Sequence, residues 1–573
     1  MNIFENYLKS ILENINHHYK ELGINKIENY KGINLEKPPS NFDCDISSNV
    51  VLILAKQNKC NPITLGNNIK KLLEKNIKDF KDIEIAGPGF LNITLKNDAI
   101  TLIINNILKK NEKFGSQKDS KNYNIEFVSA NPTGPMHVGH CRGAVFGDTL
   151  SNLLKFNGNK VTKEYYINDY GGQITNFLKS VYLRIREIKY NEKFPNDKSL
   201  YPGEYIIEIA DSIQKKRKSE FKNFDDEYEF LHKEALNHSM KMIKSDLSML
   251  GISHDNFVSE KTVVESKTLD KAINLLKKTN YVDEGYLDPP KGEEIKNWKK
   301  TKRLLFKSTL FGDDSDRALQ KNDGSWTYFA NDIAYHFNKV SRNYDKLINI
   351  LGADHTGYIK RIESAVKALS QNKIILECKV CQLVKLFKKG EPFKMSKRSG
   401  EFISVNDLLS EVNKDSIRFM MLNRSNDVEL DFDFEKVKEK SKDNPVFYVQ
   451  YAFARINSII RSLKKDLTDE ISVDPKSFNP NEYEEKIIRK IFQWPKIIES
   501  AAHKLEPHKI PFYLYELSTL FHAYWSKGNE DNEFRFLENG KLKRKETLIF
   551  IHLIAVVIQN GMNILGVSLP KKM

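Results

Sequence analysis

The pattern of apolar and polar positions divides the chain into stretches of different kinds. The segment Phe4-Glu-Asn-Tyr-Leu-Lys-Ser-Ile-Leu has its apolar residues at helical spacing and predicts an amphipathic helix. Residues 83–95 form two short alternating runs around Gly87-Pro-Gly89, which predicts two strands joined by a turn. Residues 1–108 therefore indicate a small α+β module, and the polar residues 110–121 indicate a linker after it.

The pattern changes after the linker. Residues 123–130 predict a strand, a loop rich in proline and glycine follows, and residues 139–156 have helical spacing. Residues 161–167 predict a second strand. A strand, a helix and a strand in this order imply a parallel sheet.

The second half of the chain adds more helix than strand. Residues 201–250 have long helical periodicity with many charges, which indicates a helical insertion, and residues 346–351 and 379–386 predict two further strands. From Asn444 onward the apolar spacing is helical almost throughout, which is typical of a helical bundle.

The predicted fold class is therefore a multidomain α/β protein. Its parts are an N-terminal α+β module in residues 1–108, a Rossmann-like parallel-sheet domain with a helical insertion in residues 120–440, and a C-terminal α-helical bundle in residues 444–573. A length of 573 residues agrees with several domains, because single cores stop growing well below that size.

Composition limits the class of protein. With 40% hydrophobic and 29% charged residues, the chain is typical of a soluble globular protein. The N-terminus has no basic segment followed by an apolar one, and the longest apolar stretch, residues 548–558 with His552 inside it, is too short to span a bilayer. We expect a buried helix there, no membrane partner and a cytoplasmic location.

Five cysteines in a chain of this length do not indicate a disulfide framework; they are Cys44, Cys60, Cys141, Cys378 and Cys381. Cys378 and Cys381 have the spacing of a metal-binding pair. Because no second pair of Cys or His lies nearby, the sequence does not predict a zinc site.

The net charge leaves two interpretations open. Lys and Arg number 90 and Asp and Glu 76, which gives a net charge of +14. Cationic side chains displace counterions from phosphate backbones, so the excess favours a polyanionic partner. A general lysine- and asparagine-rich composition of the source proteome explains the same excess equally well.

The first chemical signal is Glu126-Phe-Val-Ser-Ala-Asn-Pro-Thr-Gly-Pro-Met-His137-Val-Gly-His140. A strand enters a tight loop, and two histidines three residues apart begin a helix, so both imidazoles can face one ligand. The amides and dipole of a helix N-terminus attract phosphate, and Gly139 lets a flat base approach the backbone. Two metal ligands or two surface residues are the alternatives, although no third ligand is evident nearby.

The second signal is Gly390-Glu-Pro-Phe-Lys394-Met-Ser396-Lys397-Arg-Ser-Gly400. Lysines three apart, with a serine between them, can surround a polyphosphate with mobile positive charges. A solvated basic turn is the alternative interpretation.

Together the two segments resemble the His-Ile-Gly-His and Lys-Met-Ser-Lys-Ser signatures of class I aminoacyl-tRNA synthetases. Val138 replaces Ile and Arg398 replaces Ser, and both changes preserve the shape or charge of the signature. The residues that resemble the first signature region are Ala130, Asn131, Pro132, Thr133, Gly134, Pro135, Met136, His137, Val138, Gly139 and His140.

Other blocks resemble the arginyl-tRNA synthetase family within that class. These blocks are Asn168-Asp-Tyr-Gly-Gly-Gln, Thr327-Tyr-Phe-Ala-Asn-Asp-Ile-Ala-Tyr-His, Gly352-Ala-Asp-His and Asp443-Asn-Pro-Val-Phe-Tyr-Val-Gln-Tyr, besides the segment from Glu126 to His140. The resemblance covers nearly the whole chain.

The resemblance implies an ATP site and an arginine pocket. The ATP and catalytic residues would be His137, Gly139, His140, Lys394, Ser396 and Lys397, with Mg²⁺ carried on the ATP phosphates. The arginine-binding residues would be Glu126, Asn131, Tyr328, Asp332 and His355, with Asp354 as an alternative to His355. Tyr328 and Asp332 are four apart on a predicted helix, so we expect the phenol and the carboxylate on one face. For Tyr335 and His336, core packing and ligand contact are both open.

The resemblance also implies partners and a reaction. The partners would be ATP, L-arginine and tRNA(Arg), and the enzyme would be a monomer that requires tRNA for arginine activation. The C-terminal bundle would bind the anticodon and the N-terminal module the corner of the tRNA. A cysteinyl-tRNA synthetase is a rival, but it would carry zinc ligands near its pocket. A tRNA-binding relative without catalytic activity is a second rival. Such relatives commonly lose signature residues, whereas both signatures are intact here.

Overall fold

The computed structural model describes residues 2–38, 42–217, 220–286, 301–393, 403–465 and 472–573. Its helices, α1 to α20, are Ile3–His17, Val50–Asn58, Pro62–Asn76, Asn97–Lys110, Val138–Phe156, Gly172–Tyr190, Glu204–Lys216, Phe224–Met249, Glu260–Glu265, Thr268–Lys278, Tyr328–Val340, Ile359–Leu369, Val405–Glu411, Lys414–Met421, Phe434–Lys438, Pro445–Ser462, Glu482–Phe492, Trp494–Lys504, Lys509–Glu530 and Glu546–Leu565. Its strands, β1 to β17, are Leu35–Glu36, Ile46–Ser48, Phe80–Ala86, Phe90–Leu95, Asn122–Glu126, Lys160–Ile167, Asn256–Ser259, Val282–Gly285, Arg303–Phe306, Arg317–Ala318, Lys346–Gly352, Ile375–Cys381, Val384–Lys388, Glu391–Pro392, Leu430–Asp433, Leu537–Glu538 and Lys541–Leu542.

The chain folds into two compact units. One contains residues 1–117 together with 440–573, and the other contains residues 118–439. The first unit joins the predicted N-terminal module to the predicted helical bundle. The second contains both regions that resemble synthetase signatures.

The N-terminal module is a four-stranded antiparallel sheet in the order β1-β2-β4-β3, with α1 to α4 beside it. The predicted turn pairs β3 with β4 in antiparallel register. The predicted amphipathic helix is α1, whose N-cap is Asn2 and whose buried face includes Phe4 and Ile11. The α+β prediction for this module is confirmed.

The C-terminal helical bundle consists of α16 to α20 with a short hairpin, β16-β17. Helix α20 contains the apolar stretch that the sequence predicted as a buried helix. By length and composition this helix could cross a membrane, but 89% of its apolar window is buried inside the protein, which is typical of a core helix.

Bundle and module pack together within the first unit. Trp494 Nε1 donates to the Phe114 carbonyl at 3.0 Å, and Arg489 Nε donates to Asp45 Oδ1 at 2.9 Å. Gly115 has a φ of +94°, and a Cβ there would lie 2.5 Å from the Trp494 indole nitrogen. This turn therefore requires glycine for its backbone conformation and for the close approach of the indole.

The second unit is built on a five-stranded parallel sheet in the order β12-β11-β5-β6-β7. Numbered by their order in the chain, these strands are arranged 3-2-1-4-5, which is the Rossmann order without a sixth strand. The direction of progress through the sheet reverses between β5 and β11. In open α/β sheets, ligands bind outside the carboxyl ends of the strands at such a reversal.

Two predicted strands differ from the observed ones. Strand β5 ends at Glu126 rather than at Ala130, because Val128 and Ser129 have positive φ angles of 71° and 42°. Such angles are strained for a β-branched residue and end the extended conformation.

The predicted strand at 379–386 is wrong as a single element. It is the end of β12 and the start of β13, which belong to different sheets. Between them the Gln382 amide donates to the Asn426 carbonyl at 2.8 Å, so the chain leaves the parallel sheet at this point. The apolar pattern of the sequence indicates that residues on both sides of this break are buried. It does not indicate that they belong to different sheets.

Candidate active site

The two histidines cap the N-terminus of α5 with each other. His137 is the N-cap residue; its Nδ1 accepts the Gly139 amide at 3.1 Å, and its own amide donates to His140 Nδ1 at 3.3 Å. The imidazole centroids are 3.8 Å apart. The predicted common face is therefore confirmed as a pair of adjacent rings.

Burial favours the neutral form of both imidazoles. Burial lowers the pKa of His137, and burial together with the neighbouring His137 lowers the pKa of His140 to about 3. Because each Nδ1 accepts an amide hydrogen, each Nε2 carries the ring proton. The pair thus has two N–H donors at a helix N-terminus, where the helix dipole also favours an anion.

The structure gives a second reason for glycine at position 139, besides the approach of a base that the sequence suggested. A Cβ at this position would lie 2.8 Å from His137 Cε1 and 2.9 Å from its Nδ1. The absence of a side chain therefore makes room for the His137 ring itself.

The second signature is only partly described. Lys394, Ser396 and Lys397 lie outside the described residues. The chain on their far side is described, and it pairs with the first signature: the Val138 amide donates to the Ile403 carbonyl at 2.9 Å, and the Val405 amide donates to the Met136 carbonyl at 3.0 Å.

A cluster of charged groups lies at the sheet reversal. Glu126 on β5 is in register with Glu164 on β6 and with Asn349 on β11, so their side chains leave the same face of the sheet. Two carboxylates side by side repel each other, and cations from α11 and from the residues just after it offset this repulsion. Lys339 Nζ binds Glu126 and donates to Asn349 Oδ1 at 2.9 Å.

Glu164 is held in the charged form by Arg342, which follows the C-terminus of α11. The Arg342 guanidinium binds both Glu164 oxygens, at 2.5 and 2.8 Å. Burial by itself would raise the pKa of this carboxyl, but the hydrogen bond from Arg342 and the charges of Lys339 and Arg342 lower it to about 2. Tyr335 is buried between the two carboxylates, with its hydroxyl 3.0 Å from Glu126 Oε2 and 2.8 Å from Glu164 Oε1.

Two further carboxylates beside this cluster have no cation among their described contacts. Asp332 Oδ2 accepts the Tyr358 hydroxyl at 2.5 Å, and Glu260 Oε1 accepts the Asn331 amide at 3.5 Å. Burial, opposed by the Tyr358 hydrogen bond, raises the pKa of Asp332 to about 7. Burial also raises the pKa of Glu260 to about 7. A pocket with two such carboxylates favours a cationic ligand.

Tyr166 lies close to these carboxylates. Its ring stacks on Tyr335 at a centroid distance of 4.0 Å. Burial raises the pKa of its phenol, and so do the charges of Glu260, Asp332, Glu126 and Asp169. One phenol thus lies within the field of four carboxylates.

Tyr328 and Asp332 both lie on α11, as predicted, but they differ in their described contacts. Tyr328 is 77% exposed, and among the described residues its phenol makes no hydrogen bond to Asp332. The phenol that does contact Asp332 belongs to Tyr358. The predicted apolar setting of Asp332 is present, since Phe329 and Ile333 on the same helix are buried.

The remaining predicted residues have contacts of their own. Asn131 Nδ2 donates to Gln173 Oε1 at 2.7 Å. His355 follows β11 and is exposed, with Nε2 3.4 Å from Asp354 Oδ2. Tyr335 and His336, for which two interpretations were open, are both buried.

Sequence reasoning missed Glu260, Tyr166, Lys339 and Tyr358. Glu260 follows β7 directly, and Tyr166 lies in β6 close to its carboxyl end. A systematic search for polar residues at the carboxyl ends of strands could have found these two. Lys339 and Tyr358 carry no comparable local signal.

The described residues include no group of three His, Cys, Asp or Glu side chains that could hold a metal ion. Burial raises the pKa of both Cys378 and Cys381 to about 12.

Comparison with known proteins covers the whole chain. Residues 6–95 match the arginyl tRNA synthetase N terminal domain, residues 103–462 match the catalytic domain of class I (R) tRNA synthetases, and residues 449–573 match the DALR anticodon binding domain. The chain is 52% identical over 580 residues to the arginine–tRNA ligase of Pelagibacter ubique, covering 100% of both chains. It is 44% identical over 572 residues to that of Wolbachia pipientis wMel, covering 99% of both.

Solved structures agree in fold. The arginyl-tRNA synthetase of Thermus thermophilus superposes with a TM-score of 0.70 at 19% identity, covering 99% of this chain and 100% of that one. The arginyl-tRNA synthetase of Plasmodium falciparum gives 0.72 at 17% identity, covering 100% and 99%. At these identities the likeness concerns the fold alone. With the full-length sequence matches, the paired histidines at the sheet reversal identify the chain as a member of the arginyl-tRNA synthetase family of class I aminoacyl-tRNA ligases.

Proposed function

We propose that this chain activates L-arginine with ATP and then transfers it to tRNA(Arg), and that both steps take place at the carboxyl ends of β5 and β11. The observation that carries the proposal is the presence of two different sites in one compact unit. A pair of neutral imidazoles at a helix N-terminus suits a phosphate, and a pocket with two uncompensated carboxylates suits a guanidinium.

In the first step, the arginine carboxylate attacks the α-phosphorus of ATP and expels pyrophosphate. No strong protein nucleophile is required, so positioning and charge stabilisation dominate. His137 and His140 would donate their Nε2 hydrogens to the phosphate oxygens as charge develops there. Lys394 and Lys397 would neutralise the departing pyrophosphate, and Ser396 would lie between them in the same loop.

The arginine side chain would enter beside Asp332. A guanidinium has five N–H donors in a fixed plane, and acceptors on two sides of that plane satisfy it best. Asp332 and Glu260 would supply these acceptors, and exposed Tyr328 would cover the pocket from outside. Glu126 would share its carboxylate between Lys339 and the arginine α-amino group, while Asn131 and His355 would contact the rest of the amino acid.

Mg²⁺ would arrive with ATP rather than reside in the protein. The described residues have no cluster of acidic side chains and histidines for a resident ion, and Mg²⁺ commonly binds phosphate oxygens and water with few protein ligands. We further propose a cytoplasmic monomer with three functional parts, residues 1–108, 120–440 and 444–573.

The N-terminal module has a cleft suited to a nucleotide base. It has a volume of about 330 Å³ and is lined in part by Phe90, Asn92, Asn34 and Asn49. Phe90 is 41% exposed. Because an exposed aromatic ring can stack on a base, this cleft is proposed as a contact for an unpaired tRNA nucleotide.

Arginine-dependent exchange of pyrophosphate into ATP tests the proposed activity. We expect exchange with L-arginine when tRNA(Arg) is present, and little exchange with L-lysine or L-cysteine, because neither carries a planar cation. Exchange with cysteine would favour a cysteinyl enzyme. No exchange with any amino acid, with or without tRNA, would favour a tRNA-binding relative without catalysis.

A further inference from the structure

Helix α8, the last helix of the inserted segment, places one carboxylate beneath the loop that precedes His137. Asp246 is only 5% exposed, and its Oδ2 accepts the Met136 amide at 2.8 Å. Met136 is the residue directly before His137. A side chain remote in sequence therefore fixes the backbone next to the proposed phosphate-binding pair.

The same stretch of backbone is held from its other side. The Met136 carbonyl accepts the Val405 amide, and the Val138 amide donates to the Ile403 carbonyl. These bonds come from the chain that follows the second signature. The backbone of residues 136–138 is thus held by three hydrogen bonds, which we call the clamp. Two come from the backbone of residues 403–405, and the third comes from the Asp246 side chain.

A charged carboxylate buried at this position lowers the stability of the fold. Burial raises the pKa of Asp246 to about 6, although the Met136 hydrogen bond acts in the opposite direction. The Cys141 thiol on α5 is the titratable group that faces it, and burial followed by the charge of Asp246 raises the pKa of that thiol to about 12. A charged acceptor binds an amide more strongly than a neutral one, so the cost is offset by a firmer hold on Met136.

We propose that Asp246 is a positioning residue for adenylate formation: its carboxylate fixes the Met136 amide and thereby the place of the His137 imidazole. The inference rests on the proposed function, because it assigns Asp246 to the step in which His137 acts. A shift of about 1 Å in a group that contacts the reacting phosphate can cost about a hundredfold in rate.

The charge state of Asp246 gives this role a measurable signature. Below about pH 6 the carboxyl takes up a proton and becomes a weaker acceptor, so kcat should fall. Stability should change in the opposite sense. Because the pKa in the folded protein lies above its ordinary value, the ionised group destabilises the fold, and an uncharged residue removes that penalty.

The experiment compares Asp246→Ala and Asp246→Asn with the wild-type enzyme in pyrophosphate exchange, with saturating arginine, ATP and tRNA, from about pH 5.5 to about pH 8. Asp246→Ala should lower kcat about tenfold or more, with the arginine KM unchanged. Asp246→Asn keeps an acceptor without the charge. It should retain more activity, lose the acid limb of the pH profile and have an equal or higher Tm.

Asp255→Ala is the matched control, because Asp255 Oδ2 also accepts a backbone amide at 2.8 Å, that of Lys163, in the same unit. It should leave kcat and the pH profile unchanged. The inference is overturned if Asp246→Asn keeps the wild-type acid limb, or if Asp246→Ala loses kcat only in proportion to unfolded protein.

Amide hydrogen exchange separates this inference from the proposed function. The Met136 amide should exchange faster in Asp246→Ala than in the wild type, whatever the enzyme activates. Unchanged protection of that amide would refute the clamp even in an active enzyme. An inactive wild type with a protected Met136 amide would refute only the proposed function.

Discussion

Single residues in the pocket show how burial prepares a site for a cation. Asp332 lies close to Glu126 and Glu260, whereas Lys339 and Arg342 pair with Glu126 and Glu164. Burial without a cation partner among the described contacts raises the pKa values of Asp332 and Glu260. In the proposed function, a guanidinium between them would supply the positive charge.

Replacement of Asp332 by asparagine should weaken arginine binding without a large loss of stability. A hydrogen bond between charged groups contributes about 1.5–3 kcal/mol, so the arginine KM should rise about ten- to a hundredfold. The measurement is steady-state pyrophosphate exchange at saturating ATP and tRNA. Asp270→Asn, an exposed change at the start of α10, serves as the control. An unchanged arginine KM in Asp332→Asn would exclude Asp332 from the pocket.

Arginine binding should depend on pH near neutrality. The guanidinium keeps its charge, and it favours the ionised forms of Asp332 and Glu260, whose pKa values are about 7 in the free protein. Binding should therefore lower both pKa values and release protons, and affinity should fall as pH falls below about 7. Calorimetry in buffers of different ionisation enthalpy measures the release. The assignment fails if arginine binds with the same affinity at about pH 6 and about pH 8.

At the scale of elements, four residues at the N-terminus of α5 both cap the helix and fix the positions of the two imidazoles. His137 and His140 cap the helix with each other, and Gly139 leaves space for the His137 ring. The backbone of the preceding loop is clamped by α8 and by the chain that leads into α13. The helix therefore presents its two imidazoles in one fixed arrangement.

Gly139→Ala should slow adenylate formation while leaving the fold intact. The new Cβ would displace the His137 ring, so kcat should fall about ten- to a hundredfold, whereas alanine in place of glycine stabilises a helix by about 1 kcal/mol. Gly143→Ala on the same helix is the control, because its Cβ would meet only Ile350 Cγ2, at 3.9 Å. Full activity in Gly139→Ala would show that the ring position is not critical.

At the scale of the whole molecule, the proposed reaction site and the proposed tRNA-binding parts lie in different units. The second unit contains the proposed reaction site, and the first contains the anticodon-binding domain and the module with the cleft. Within the first unit, module and bundle are joined by buried contacts such as the Trp494 hydrogen bond. One compact body thus holds the parts that are proposed to bind tRNA.

Phe90→Ala should weaken the interaction with tRNA and leave the small substrates unaffected. Stacking of a base on an aromatic ring contributes about 1–3 kcal/mol, so the KM for tRNA should rise about five- to a hundredfold. Aminoacylation assays measure the tRNA, arginine and ATP dependence separately. Tyr30→Ala removes another exposed aromatic ring from the module and should have little effect. An equal loss in both variants would contradict a specific role for the cleft.

The sequence by itself determined the parts of this protein that depend on local pattern. Apolar periodicity reports which face of an element is buried, so it located α1, α5, β6 and the C-terminal bundle closely. Signatures such as His137-Val-Gly-His140 work within one turn of helix, so their geometry could also be predicted. The resemblance then identified the family.

Only the tertiary structure decided what meets at the sheet reversal. The order of strands depends on packing between segments that are far apart in sequence, and so do the partners of each charge. That packing brings Lys339 to Glu126 and the Tyr358 hydroxyl, rather than that of Tyr328, to Asp332. It also brings Asp246 to the Met136 amide. No local pattern encodes these pairs, because each is selected by the shape and dielectric environment of the folded chain.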